Sequence, residues 1–188
     1  RSLSLFILAT LTLSSTFAQQ TPDPTPPPRG TTSFVPLPDL EKQPLTTHTF
    51  VIRAAVENMS EIELGELALA RSEDPAVKEF AKQLVAHHKA ANEDLKRVAA
   101  QQKVSLPGAV DEDHRKLKQK LTQLEGKAFD AQYIDAMSSG HDKAVALFEA
   151  ASQSPKLPDD VKGFASETLS TLKEHRKTAH ALRAAEGA

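Results

Sequence analysis

Cysteine is absent from all 188 residues of this chain. The protein therefore has no disulfide bond, no thiolate nucleophile and no cysteine that could carry a lipid. Thiolate metal ligands are excluded as well. The stability of the fold must come from packing alone.

Aromatic residues and excess charge are also scarce. Only 5% of the residues are aromatic, with one tyrosine and no tryptophan, and the formal net charge is −2. Without a basic patch or a platform for base stacking, nucleic-acid binding is not expected. The sequence also shows no Ser-His-Asp spacing and no glycine-rich phosphate loop, so we predict that the protein is not an enzyme.

The longest apolar run lies at the start of the chain, at residues 3–13. At about 11 residues it is too short for a permanent membrane span. The small-residue pattern Thr16-Phe17-Ala18 follows it and predicts a signal peptide over residues 1–18. We therefore expect export to the periplasm or the outer envelope, with no transmembrane anchor in the mature chain.

Proline is concentrated in the next segment. Residues 19–45 contain eight of the twelve prolines, including Pro26-Pro27-Pro28. Such a tract favours an extended, polyproline-type conformation and cannot build a core. It predicts a disordered linker over residues 19–45, followed by a folded domain over residues 46–188.

Long segments rich in alanine and leucine follow the linker. Asp74-Pro75 supplies a helix start, and Pro107-Gly108 and Pro158 mark breaks. The periodicity predicts long helices over residues 49–71, 75–102, 127–152 and 158–185, and a shorter, charged helix over residues 111–125. This pattern is typical of an all-α four-helix bundle with an extra helical connection between the second and third long helices. It leaves up-down and crossover topologies open.

Three of the four long helices carry one histidine within the apolar seam, namely His88, His141 and His175. The remaining helix carries Glu57 and Glu61 in the corresponding positions. Counted from the turns, Glu57, His88 and His141 lie nearly level along the helices. His175 is displaced from them by one helical turn, about 6 Å. An offset or a tilt of its helix is then needed to bring His175 to the other three.

Two interpretations of these residues remain open. In the first, this polar layer binds a transition metal or another small ligand. Imidazole and carboxylate donors on facing helices suit Zn, Cu, Fe, Ni or Mn, with Glu61, His88, His141 and His175 as ligands and Glu57 as the alternative carboxylate. In the second interpretation, the histidines are core residues held by hydrogen bonds. They need partners because burying an unpartnered imidazole costs about 1–3 kcal/mol of stability. A ferritin-like di-iron oxidase is disfavoured, since Val85, Ser138 and Leu172 replace the glutamates of a Glu-x-x-His pattern.

Four neighbouring residues are weaker candidates. His87 points about 100° away from His88 on a helix and is expected at the seam edge or in solvent. Met137 could serve as a soft copper ligand, although a single thioether is more often core filler. Asp130 and Tyr133, three residues apart, are expected to hydrogen-bond or to order a loop.

The order and spacing of several short motifs resemble the exported bacterial family called domain of unknown function 4142. The matching residues are Phe50-Val-Ile-Arg-Ala-Ala55, Glu61-Ile-Glu-Leu-Gly-Glu-Leu-Ala68, Val77-Lys-Glu-Phe-Ala81, His88 with Asn92 and Leu95, Gly126-x-x-Phe129-Asp130-x-x-Tyr133, His141 with Phe148, and Leu172-x-x-His175.

The resemblance implies a ferritin-like bundle in the periplasm or outer envelope with no established activity. It also implies that Glu61, His88, His141 and His175 fill the positions usual in that family. The chain departs from the family pattern at His87, where an aspartate is common. A partner protein of the envelope or a second copy of the chain is the binding partner expected for such a domain.

Overall fold

The computed structural model describes residues 42–186. It contains five helices: α1 (Thr47–Arg71), α2 (Pro75–Gln101), α3 (Glu112–Thr122), α4 (Gly126–Gln153) and α5 (Asp159–Glu186). No strand occurs within this range, so the prediction of an all-α fold is confirmed. The predicted signal peptide, and the predicted linker up to residue 41, lie outside the described residues. None of the described helices is both long enough and apolar enough to cross a membrane.

Helices α1, α2 and α3 begin at residues whose side chains bind free backbone amides. Thr46 and Thr49 form a capping box at α1, and the Asp74 carboxylate accepts from two amides at the start of α2. The short helix α3 ends at Thr122, three residues before the predicted end. The chain then turns, and Gly126 begins α4 with a φ of 53°, a left-handed conformation that glycine adopts without strain.

Two clusters of buried apolar side chains show how the long helices run. One joins the starts of α1 and α5 to the ends of α2 and α4, and includes Phe50, Leu95, Phe148 and Phe164. The other joins the opposite ends of the same helices, and includes Leu64, Leu84, Tyr133 and Ala179. Helices α1 and α5 therefore run in one direction, and α2 and α4 run in the other.

This arrangement requires a long connection between α2 and α4. The segment that contains α3 leaves the end of α2 in the first cluster and returns to the start of α4 in the second. Along the way α3 is tied to α1, where Lys118 Nζ lies 2.7 Å from Glu63 Oε2. Leu121 enters the second cluster from α3. The connection that the sequence left open is a crossover.

Helices α1 and α2 approach closely at Gly65. A Cβ atom at this position would lie 2.6 Å from Cγ2 of Val85 and 3.3 Å from the carbonyl oxygen of Ala81. The second contact is to backbone, which cannot easily move aside. This glycine therefore sets the distance between α1 and α2. That distance in turn sets the separation of the other residues that face each other across the two helices.

Gly65→Ala is expected to lower the free energy of unfolding. Overpacking costs about 1–3 kcal/mol, and it exceeds the helix-propensity gain of about 1 kcal/mol for alanine. Chemical denaturation followed by circular dichroism measures the difference. Gly163→Ala is the matched control, because a Cβ on this glycine of α5 meets nothing within 4 Å. The control should be stabilising, and equal gains in the two variants would contradict the close approach.

Candidate metal centre

A layer of buried polar side chains separates the two apolar clusters. His88 on α2, His141 on α4 and His175 on α5 are 5%, 1% and 4% exposed. The centroids of their rings lie 5.9 Å (88–141), 5.5 Å (88–175) and 5.2 Å (141–175) apart. The three imidazoles therefore face one another inside the fold.

The offset expected for His175 does not separate it from the other rings. His141 lies 12 residues before the end of α4, and His175 lies 16 residues after the start of α5. Side chains lean toward the N-terminus of their own helix, and these two helices are antiparallel. The two imidazoles therefore lean toward each other across the offset of about 6 Å.

One nitrogen of each histidine belongs to a compact group. One ligand atom from His88, one from His141 and one from His175 all lie within 4.8 Å of one another. An ion with metal–nitrogen distances of 2.0–2.1 Å separates tetrahedral ligands by about 3.3 Å. Small rotations of the imidazoles that move each ligand nitrogen by about 1 Å would bring the three atoms to this separation. The residues present therefore fit a transition metal.

The opposite nitrogen of each ring is bonded outside the group. His88 Nδ1–H donates to Asn58 Oδ1 at 2.9 Å, and His141 Nδ1–H donates to the carbonyl oxygen of Met137 at 2.9 Å. His175 Nε2 is 2.8 Å from His87 Nδ1. Such outer partners hold metal-binding imidazoles in the required tautomer and orientation.

The inner nitrogens differ in their contacts. His175 Nδ1 and His141 Nε2 are 3.3 Å apart, so one ring can donate to the other without a metal. His88 Nε2 is buried and has no hydrogen-bond partner among the described residues. Since Nδ1 of this ring carries the proton given to Asn58, Nε2 of the neutral ring presents a lone pair into the group.

Burial keeps two of the rings in the neutral, ligating form. It lowers the pKa of His88 well below its ordinary value, and repulsion from His141 and His175 lowers it further. Burial likewise lowers the pKa of His175 to about 3, together with repulsion from His141 and His87. A metal ion at neutral pH would therefore displace no proton from these two imidazoles.

Glu61 lies beside the histidines but behind the ring of His141. Its Oε1 is 3.7 Å from His141 Nδ1, the nitrogen that faces away from His175. Oε2 is buried without a hydrogen-bond partner in the described part of the chain. Burial raises the pKa of Glu61, although His141 opposes this effect. The carboxyl group thus lies beside the site rather than within the 4.8 Å group.

Glu57, the alternative carboxylate of the sequence prediction, contacts α3. Its Oε2 lies 3.5 Å from His114 Nε2, and Asp111 Oδ1 lies 2.7 Å from the other nitrogen of that ring. Burial disfavours the charge on His114, but these two carboxylates outweigh it and raise the pKa of His114 to about 9. Glu57 therefore helps to hold the crossover segment against α1.

The weaker candidates take different places. The side chain of Met137 lies in the second apolar cluster, and its carbonyl oxygen accepts a hydrogen bond from His141. The expected hydrogen bond between Asp130 and Tyr133 is not formed, since the buried Tyr133 hydroxyl has no partner in residues 42–186. Burial raises the pKa of Tyr133 well above its ordinary value, and Glu61 adds to this shift.

Three contributors to the site were missed or undervalued in the sequence. Asn58 is one helical turn before Glu61 on α1, and this spacing was the only signal that it faces the same seam. His87 is exposed, as expected, yet it bonds to His175 across the α2–α5 interface. The Met137 carbonyl carried no signal, because every helical residue has one.

These features define an all-helical protein with a buried three-histidine group. Residues 36–182 match the family described as Domain of unknown function (DUF4142), and the chain belongs to that family. No curated protein and no solved structure matches the chain.

Proposed function

We propose that this protein binds one transition-metal ion through His88, His141 and His175. The unpartnered Nε2 of His88 carries the proposal, because a buried lone pair without a donor costs about 1–3 kcal/mol unless a ligand uses it. Three imidazole nitrogen donors suit Zn, Cu, Fe, Ni or Mn. Three protein ligands also leave a fourth position for water or another exchangeable ligand.

The arrangement of helices supports a ferritin-like setting for this ion. Helices α1, α2, α4 and α5 surround the histidine layer, and a crossover joins the second to the third of them, as in ferritin-like bundles. We therefore propose a four-helix, ferritin-like bundle that acts as a non-enzymatic metal-binding protein. With the predicted signal peptide, its proposed location is the periplasm or the outer envelope.

The experiment is elemental analysis of the untagged protein purified from the envelope fraction of the cells that make it. About one transition-metal ion per chain is expected, because the group offers one set of three nitrogen ligands. The same preparation tests export. Metal-free protein that also takes up none of the five metals in equilibrium dialysis would show that the proposal is wrong.

A second function is supported by the hydrogen bonds of the site. A chain of donations from His87 to His175, from His175 to His141 and from His141 to the Met137 carbonyl satisfies those nitrogens without a metal. The layer would then fix the register of the helices in a structural or interaction module, at a cost in stability. This function predicts no bound metal, and changes in stability or oligomeric state when the histidines become leucine.

A further inference from the structure

We infer that His87 is the residue through which the metal ion enters and leaves the buried histidine group. This inference rests on the proposed function, and concerns the path to the site rather than its occupancy. His88, His141 and His175 are buried, whereas His87, the fourth imidazole of the cluster, is exposed. An ion arriving from solvent therefore meets His87 before any of the three inner ligands.

His87 and His175 form a pair that spans the boundary of the core. His87 Nδ1 is 2.8 Å from His175 Nε2, and the two rings are nearly parallel, with an interplanar angle of 12°. Two nitrogens at this separation can bind one ion after a small rotation of either ring. The pair is thus a transient binding site with two ligands at the surface.

His175 connects this outer pair to the inner group. Its Nε2 faces His87 and its Nδ1 faces His141 Nε2 at 3.3 Å. His175 can therefore hold the ion at the outer position through Nε2 and at the inner position through Nδ1. Movement of the ion between the two positions breaks its bond to Nε2 and forms a bond to Nδ1 of the same ring.

The number of ligands gives the transfer its direction. The outer pair offers two imidazoles, and the inner group offers three, with the Glu61 carboxylate close behind His141. The additional imidazole ligand favours the inner position. The outer position is therefore a step on the path, and His87 is not a ligand of the final complex.

The test separates entry from affinity by two isosteric changes at position 87. When His175 Nδ1 binds the ion, the proton of that ring is on Nε2 and is donated to position 87. Asparagine places an oxygen where His87 Nδ1 lies, so it can still accept from His175 Nε2–H, but an amide is a poor ligand for a transition metal. Aspartate places an oxygen at the same point and can also bind the ion. Cu²⁺ loading is followed by stopped-flow quenching of Tyr133, the single tyrosine, and Kd is measured by competition with a chelator.

In His87→Asn we expect loading and release to slow by about tenfold or more, equivalent to about 1.4 kcal/mol on the path, while Kd stays within about threefold. His87→Asp should restore the loading rate. His180→Asn is the control, since His180 is also exposed but bonds to Asp142, and it should leave both rates unchanged.

Three outcomes overturn the inference. Loading of His87→Asn at the unsubstituted rate excludes His87 from the path. If His87→Asn raises Kd through faster release alone, His87 only positions the ring of His175. Absence of Cu²⁺ binding by the unsubstituted protein, together with absence of every other metal in dialysis, removes the proposed function and this inference together.

Discussion

Replacing His88 and His141 together with alanine is expected to abolish transition-metal binding. The double substitution removes two of the three nitrogen ligands and leaves one imidazole on α5. Loss of a residue that only hydrogen-bonds to a metal ligand weakens metal binding about 10–100-fold. Loss of two direct ligands should therefore exceed that range. Isothermal titration calorimetry with Zn²⁺ or Cu²⁺ measures the effect, and circular dichroism verifies that the variant retains its helices.

The matched control removes two imidazoles from outside the site. His48 and His180 are both exposed, so His48→Ala with His180→Ala lowers the number of histidines equally without touching the buried group. Its affinity should equal that of the unsubstituted protein. Unchanged binding in the His88/His141 variant, or equal losses in the two variants, would assign the bound ion to the surface and refute the proposed centre.

Replacing Glu61 with methionine is expected to stabilise the metal-free protein and to weaken its metal binding. The buried Oε2 has no partner, and an apolar side chain of similar volume removes that cost, for a gain of about 1–3 kcal/mol in the free energy of unfolding. Metal affinity should fall about 10–100-fold, because a bound cation favours the ionised form of the carboxyl group behind His141 and methionine cannot supply that charge. Denaturant titration and calorimetry on one preparation measure both effects.

Glu61→Gln serves as the control for charge alone. Glutamine keeps the size and polarity of the side chain, so its metal affinity should fall as in the methionine variant while the gain in stability is smaller. A methionine variant that is less stable than the parent, with no change in metal affinity, would show that Glu61 is a structural member of the polar layer. That result favours the register-fixing function.

The helical fold could be predicted from the sequence because the seams are regular. Residues such as Val77, Leu84 and Leu95 recur at helical spacing, and all three are buried in the structure. The ends of α2 and α4 followed from proline and glycine. The crossover could not be predicted, since a charged segment of the length of α3 can either extend the next helix or cross between ends.

The positions of the three histidines in the apolar seams were also predictable, but the close approach of their rings was not. Counting residues from the turns treats each side chain as level with its own Cα, which displaced His175 by a turn. The lean of side chains toward the helix N-terminus removes that displacement for antiparallel neighbours. The count likewise favoured Glu57 as level with the histidines, although the structure pairs it with His114.

The outer partners of the imidazoles escaped sequence reasoning for a simpler reason. Asn58 and His87 act through hydrogen bonds between helices, and such bonds depend on helix rotation and spacing to within about 1 Å. Periodicity assigns a residue to a face of its helix but not to a partner at that precision.

The crossover divides the metal group between two helical hairpins. The α1–α2 hairpin carries Glu61 and His88, and the α4–α5 hairpin carries His141 and His175. An ion coordinated by all three imidazoles would act as a non-covalent crosslink between halves that are far apart in sequence. Metal loading should then retard the separation of the hairpins during unfolding, giving a cysteine-free protein the kinetic persistence that disulfides provide elsewhere.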